Sequence, residues 1–289
     1  MILCAGFGAR LRPLTEELPK PLVPVGDRSV LGHICAQLAR AGYPGALVNT
    51  HWLPEKFQAI IDGFGFDLTL IHEAQIRGVV GAVGAARALL AAPVIVWNGD
   101  ILIDAPPIAQ LVDRAARTGG VCLAVAPTTG TGTVGLDEQG RLIRVRGQSF
   151  GQEARQGDYV GLFALGAGAL SELPLMGDLF ADYCLPLLQR GESVDTITIG
   201  GGWREVGSLD GYLLANEHWL SHHANHGERS FVHPSARVEP GVRLIASIVG
   251  ANARVDGTGT VERSVIWPGA QASAPLVDSV VTPLSRAQR

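Results

Sequence analysis

Residues 5–25 read Ala-Gly-Phe-Gly-Ala-Arg-Leu-Arg-Pro-Leu-Thr-Glu-Glu-Leu-Pro-Lys-Pro-Leu-Val-Pro-Val, directly behind the apolar start Met1–Cys4. A short strand ending in such a loop offers backbone N–H groups to a phosphate chain. Gly6 and Gly8 let the main chain approach closely, and Arg10 and Lys20 add positive charge. The run is not the dinucleotide fingerprint, which needs a third glycine. Nor is it a P-loop, which ends in Gly-Lys-Ser/Thr. A Gly-x-Gly pair taken alone reads equally well as a turn with structural glycines.

Outward from this loop, short apolar runs alternate with helical patterns. Strands are expected at Ile2–Cys4, Gly45–Asn49, Asp67–Ile71, Val94–Trp97 and Val121–Ala126. Ser29 is placed to cap a helix carrying Val30, Leu31, Ile34 and Leu38 and stopped at Gly42. Further helices are expected over 54–62, 80–91 and 107–118. This alternation predicts a three-layer, Rossmann-like α/β domain with a mainly parallel sheet, and ligands then sit at the carboxyl ends of the strands.

A different rhythm begins near Phe231. Val232, Val238 and Leu244 are six apart, and so, after a five-residue step, are Val249, Val255, Val261 and Trp267. A six-residue apolar period with small residues, Gly and Pro between fits a parallel β-solenoid. The chain therefore divides into a domain at 1–225 and a repeat domain at 230–284. The latter is expected to be an oligomerisation or capping module, which makes the chain a homo-oligomer.

The 289 residues are 47% hydrophobic, ample for a core, and the formal charge of −4 argues against a nucleic-acid partner. Cys4, Cys35, Cys122 and Cys184 have no metal-ligand spacing and read as buried thiols in a reducing compartment. No leader precedes the loop and no apolar run is long enough to span a bilayer, so a cytoplasmic protein without a membrane partner is expected. His218, His222, His223 and His226 read as a surface-helix face or a linker rather than a metal site. Trp97-Asn98-Gly99-Asp100 is an apolar strand ending in an acid, placed either to bind Mg²⁺ or to serve as a turn or helix-cap Asp.

The full run from Ala5 to Val25 resembles the signature of the sugar-1-phosphate nucleotidylyltransferases, Ala-Gly-x-Gly-Thr-Arg-Leu-x-Pro-Leu-Thr followed by Pro-Lys-Pro-Leu, with Ala9 in place of Thr. Family members carry a few residues ahead of Ile2, which leaves room for a native start upstream of Met1. The repeat segment resembles the left-handed β-helix of hexapeptide-repeat proteins. The resemblance implies nucleotidyl transfer from a nucleoside triphosphate to a sugar 1-phosphate, releasing pyrophosphate. Arg10 is then the catalytic residue on the pyrophosphate side and Lys20 the one between the two substrates. Leu3, Ala5, Gly6, Gly8, Ala9 and Gly81 are implied to hold the nucleotide.

The same resemblance gives Asn98, Tyr159 and Gly161 to the sugar phosphate, and Asp100 and Glu205 to Mg²⁺. Glu205, in Trp203-Arg204-Glu205-Val206-Gly207-Ser208, stands where the family carries Asp. One methylene longer, it leaves three outcomes open: binding through water, a preference for Mn²⁺, or a weak site. Tyr159 stands where Asn is usual, and Val79 replaces a Thr in Glu73–Val83, a stretch that also reads as a plain helix start. The family's Glu-Lys-Pro is missing from Arg144–Gln152, where Arg144 or Arg146 reads either as a phosphate partner or as a solvated strand position. These departures keep a second reading open, a catalytically silent relative that binds a nucleotide sugar and regulates an enzyme.

Overall fold

Ile2–Leu3 (β1) is only two residues long, yet it is hydrogen-bonded in parallel on both sides. Ile2 lies opposite Val48 of Gly45–Thr50 (β2) and Trp97 of Val94–Asn98 (β4); Leu3 lies opposite Asn49 and Asn98. Asp67–His72 (β3) adds to β2 in parallel. The computed structural model describes residues 1–60, 63, 65–128 and 130–289. Its described residues form two compact units. One comprises Met1–Gly6, Cys35–Pro54 and Gln58–Trp203; the other comprises Phe7–Ile34, Glu55–Phe57 and Arg204–Arg289.

The first unit is built on a ten-stranded mixed sheet with parallel central strands. Beyond β4 the chain supplies Val121–Pro127 (β5), Val134–Leu136 (β6), Leu142–Val145 (β7), Gln148–Ser149 (β8), Arg155–Leu165 (β9) and Asp195–Thr198 (β10). β9 runs antiparallel to β4, β5 and β6, and β10 is parallel to β5. Val96, Leu123, Val125, Phe163 and Leu165 are buried against Val80, Val83 and Leu170 of neighbouring helices. Helix Ile108–Thr118 buries Ile108, Leu111 and Ala115, one stripe at helical spacing, and ends where Gly119 takes a left-handed φ of 71°.

The expected elements recur with small shifts. Helix Val30–Arg40 forms with the Ser29 hydroxyl accepting from Gly32 N at 3.0 Å. The 54–62 helix is seen as Pro54–Ile60; residues 61 and 62 lie outside the described residues. The 80–91 helix is shorter than the apolar pattern suggests, covering Val79–Ala86 before tightening into a 3₁₀ turn at Arg87–Leu89. Pro93 lies just beyond, and a residue ahead of proline is pushed out of the helical region.

In the second unit, helix Leu209–His223 starts at Ser208, whose hydroxyl accepts from Gly211 N at 3.2 Å. The C-terminal strands that follow pair in parallel, with a register shift between Gly257 and Val261 in the last step. Val232 lies opposite Val249, which lies opposite Ile266. Val238, Val255 and Ala272 form a second column, and Leu244, Val261 and Leu276 a third. At the end of the expected series Ile266 stacks under Val249, and Trp267 falls outside the column. Arg286–Gln288 turns back antiparallel against Ser279–Val281.

A column of buried serines, hidden from the apolar count, joins the turns of this stack. Ser247 N donates to Ser230 Oγ, Ser264 N to Ser247 Oγ and Ser279 N to Ser264 Oγ, each at 3.1 Å. Each of these serines is at most 1% exposed. Ser264→Ala would strand the buried Ser279 N–H. A loss of about 1–3 kcal/mol is expected in urea unfolding, with unchanged far-UV dichroism.

All four cysteines are buried free thiols, as composition suggested. Burial pushes the Cys35 and Cys122 thiols up to about 12. An exposed thiol ionises near about 8.5, so the unfolded chain releases these protons first as pH rises. The thiols' share of the stability is expected to be constant below about pH 8 and to fall steadily above about pH 8.5, read as denaturation midpoints across about pH 8–11.

Candidate active site

In the first unit the carboxyl ends of β1, β2 and β4 lie side by side, with Leu3 between Asn49 and Asn98. Gly99 N donates to Leu3 O at 2.9 Å, which turns the chain into Asp100 beside the end of β1. Cys4 N donates to Asn49 Oδ1 at 2.8 Å, and Asn49 Nδ2 donates to Glu73 Oε1 at 2.9 Å. The second oxygen of Glu73 accepts from Arg77 N at 3.2 Å. Asn49 and Glu73 are buried, so one interior carboxylate ties the start of the glycine loop to the segment leading into Gly78. Sequence reading assigned neither residue a role. The signal was an Asn inside an apolar strand and a Glu directly after one.

Among the described residues, the buried side-chain nitrogen and oxygen atoms without a hydrogen-bond partner are Gln37 Oε1, Asn98 Oδ1 and the Tyr159 hydroxyl. Two of the three belong to residues singled out for the sugar phosphate. Such a group costs about 1–3 kcal/mol and calls for an explanation. Tyr159 lies edge-on to Phe180, with ring centroids 5.0 Å apart. Burial raises its phenol well above the usual range, and Cys184, Asp178 and Asp100 push the same way. The hydroxyl therefore keeps its proton and is a donor.

Gly161 sits at φ 70°, within the register shift of β9 between Tyr159 and Phe163. A Cβ there would come within 2.7 Å of Ile101 Cγ1 and 3.0 Å of Asn98 Nδ2. Only glycine lets the strand close over the Asn98 side chain. Gly78, Gly81 and Gly84 face backbone at Gly177, Met176 and Pro174, with added Cβ atoms 2.4, 2.6 and 2.2 Å from the nearest atoms. The absent side chain of Gly81 is thus used by the chain's own packing. Arg144 is committed to Glu153 at 2.6 Å, and Arg146 lies 3.5 Å from Asp178.

In the second unit Gly8 takes a left-handed φ of 65°, and a Cβ there would lie 2.7 Å from Thr15 Cγ2 and 3.4 Å from Lys20 Cβ. Thr15 Oγ1 donates to Gly8 O at 2.9 Å, bracing the turn Ala9–Leu11 that carries Arg10. At Gly6, by contrast, no described atom lies within 4 Å of an added Cβ. Arg10 Nη2 donates to Glu205 Oε1 at 2.6 Å, with side chains 70% and 40% exposed. A pair this open is worth about 0–1 kcal/mol, so a phosphate or a cation can divide it at little cost. Gly207 makes room for it, since a Cβ there would lie 2.2 Å from Glu205 Oε1.

The family pattern described as "Nucleotidyl transferase" matches residues 1–222. The chain belongs to that family. The mannose-1-phosphate guanylyltransferase of Mycobacterium tuberculosis is 26% identical over 296 residues, covering 96% of this chain and 82% of that protein. The mannose-1-phosphate guanyltransferase of Debaryomyces hansenii is 25% identical, covering 82% and 72%. The N-acetylmuramate alpha-1-phosphate uridylyltransferase of Neisseria meningitidis is 36% identical over 110 residues, 36% of this chain and 47% of that protein. The crystal structure of HddC from Yersinia pseudotuberculosis complexed with GMP-PN shares the fold, at TM-score 0.63 and 16% identity over 75% of this chain and 97% of that one.

As a nucleotidyltransferase of the group that makes nucleoside-diphosphate sugars, the chain is an enzyme rather than a silent relative. Among the described residues no three His, Cys, Asp or Glu side chains gather around one point, the histidines of the Leu209–His223 helix included. Instead His223 stacks on Trp219 at 4.5 Å. Asn49→Leu would remove the partner of Cys4 N and of the buried Glu73 carboxyl. A stability loss of about 3 kcal/mol or more is expected by urea denaturation.

Proposed function

We propose that the enzyme transfers a nucleotidyl group from a nucleoside triphosphate to a sugar 1-phosphate. A phosphate oxygen of the sugar attacks the α-phosphorus, the bond to the bridging oxygen of the β-phosphate breaks, and pyrophosphate leaves. The observation that best supports this is the pair of unpartnered polar atoms at Asn98 and Tyr159, with Asp100 near the phenol, in a chain of this family. The attacking oxygen is already ionised at neutral pH, so no general base is needed. The demand is for alignment and charge neutralisation.

In this reading the backbone from Leu3 through Ala5, Gly6, Gly8 and Ala9 cradles the triphosphate. Arg10 leaves its weak pairing with Glu205 to meet the departing pyrophosphate, and Lys20 neutralises charge between the two substrates. Asn98, Gly161 and the protonated Tyr159 orient the sugar phosphate, Tyr159 as a donor. Asp100 and Glu205 are hard oxygen donors suited to Mg²⁺, which takes one or two carboxylates together with water and substrate phosphate, and Mn²⁺ suits the longer Glu205. When bound, the ion would offset negative charge on the nucleotide.

Guanosine and uridine triphosphates with mannose and N-acetylmuramate 1-phosphates are the first substrates to try, because the named relatives act on them. The C-terminal ladders fit a left-handed hexapeptide β-helix beginning near residue 230, beyond a transferase domain that ends near 225. We assign it to self-assembly of a cytoplasmic enzyme.

Pyrophosphate release is expected with one nucleotide–sugar pair and a divalent cation, and silence across that panel would overturn the proposal. Tyr159→Phe should raise the KM for the sugar phosphate about tenfold while leaving the melting temperature unchanged or higher, since the free protein loses only an unpartnered hydroxyl.

A further inference from the structure

We infer that Glu17 is a positioning residue for Lys20, held by two hydroxyls from the far end of the chain. This rests on the catalytic reading of Lys20 given above. Glu17 closes the short helix Leu14–Glu17, and Lys20 opens the 3₁₀ turn Lys20–Leu22 just beyond Leu18 and Pro19. Glu17 Oε1 accepts from Thr282 Oγ1 and from Ser285 Oγ, the latter at 2.8 Å. Thr282 is 4% exposed, and its hydroxyl also accepts from Ser285 N at 2.8 Å, so the turn that grips Glu17 is itself preformed.

The other flank of the Lys20 turn is held by the Leu209–His223 helix. The Tyr212 hydroxyl donates to Pro24 O at 2.7 Å and accepts from Trp267 Nε1 at 2.9 Å. Tyr212 and Trp267 are buried. Gly26 N donates to Asn216 Oδ1 at 3.0 Å, with the Trp219 ring filling the place of a side chain at Gly26. Between these fixed points lies a cavity of about 620 Å³, lined in part by Glu17, Leu18, Leu22, Trp267, Pro283 and Leu284. Leu14, Leu22, Val23 and Val25 are buried beside this half-open cavity, and the hydrogen bonds at the two ends of the segment complete the hold on Lys20. A carboxylate accepting from two hydroxyls is a strong fastening for the upstream end, since bonds to a charged acceptor exceed neutral ones.

Steady-state kinetics on the full chain tests this. The double variant Thr282→Val/Ser285→Ala keeps the volume at Thr282 and removes both donors. It is expected to lose about tenfold or more in kcat with KM within about twofold, the signature of misplacement rather than lost binding. Thr282→Ser, which retains a hydroxyl, should restore most of the rate to Thr282→Val. Ser264→Ala, destabilised but remote from Glu17, should keep wild-type kcat below its melting temperature.

The deciding measurement adds Lys20→Ala to the double variant. If the clamp acts through Lys20, the combined loss equals that of Lys20→Ala alone. Losses that multiply, or a double variant with wild-type kcat, would overturn the inference. A folded Lys20→Ala enzyme with normal turnover would instead overturn the catalytic reading of Lys20.

Discussion

Two residues, Ile2 and Leu3, hold the centre of the sheet together. Each pairs in parallel with a strand on either side, and Ile2 is wholly buried. A strand this short has little cooperativity of its own, and its position is dictated by the two longer strands that flank it. The consequence is alignment. The chain leaves β1 at the same level at which β2 and β4 end, and the backbone N–H of Cys4 meets the side chain of Asn49 there. The polar groups beyond, from Asn98 to Tyr159, are read against that level.

The polar residues described in the two units differ in what holds them. Asn49 and Glu73 are satisfied by one another and by backbone, so they are framework. Asn98 and Tyr159 keep buried polar atoms without protein partners, and Gly161 gives up its side chain to make that possible. Arg10 and Glu205 form a third kind, charged groups in exposed contact whose pairing is cheap to exchange.

The strands were legible because runs such as Val94–Trp97 are apolar and bounded by turn residues, and the loop was legible because glycine, lysine and proline have few alternative uses in that order. The C-terminal columns were legible at Val232, Val238 and Leu244, whose spacing survives in the register. What hid from sequence was polar and long-range. The serine column occupies positions that hydropathy reads as surface, because each hydroxyl is satisfied by a neighbouring turn. Glu17 meets Thr282 across 265 residues, a pairing no local pattern encodes. Trp267 was counted as a core column residue because an indole is apolar, whereas its N–H serves Tyr212. Gly81 was read toward a nucleotide base, and its empty side is filled by Met176 of the same chain.

The antiparallel return of Arg286–Gln288 bears on how the molecule behaves in a crowded solution. A stack of identical parallel strands has an open end, and an open end is a template on which another chain can continue the ladder. The last strand blocks that growth by reversing direction, so a newcomer in the repeating register finds the wrong hydrogen-bond pattern. It also places Arg286 and Arg289 along the rim, with Arg289 anchored to Asp210 at 2.7 Å. Fibre formation is thereby discouraged at this edge of the ladder.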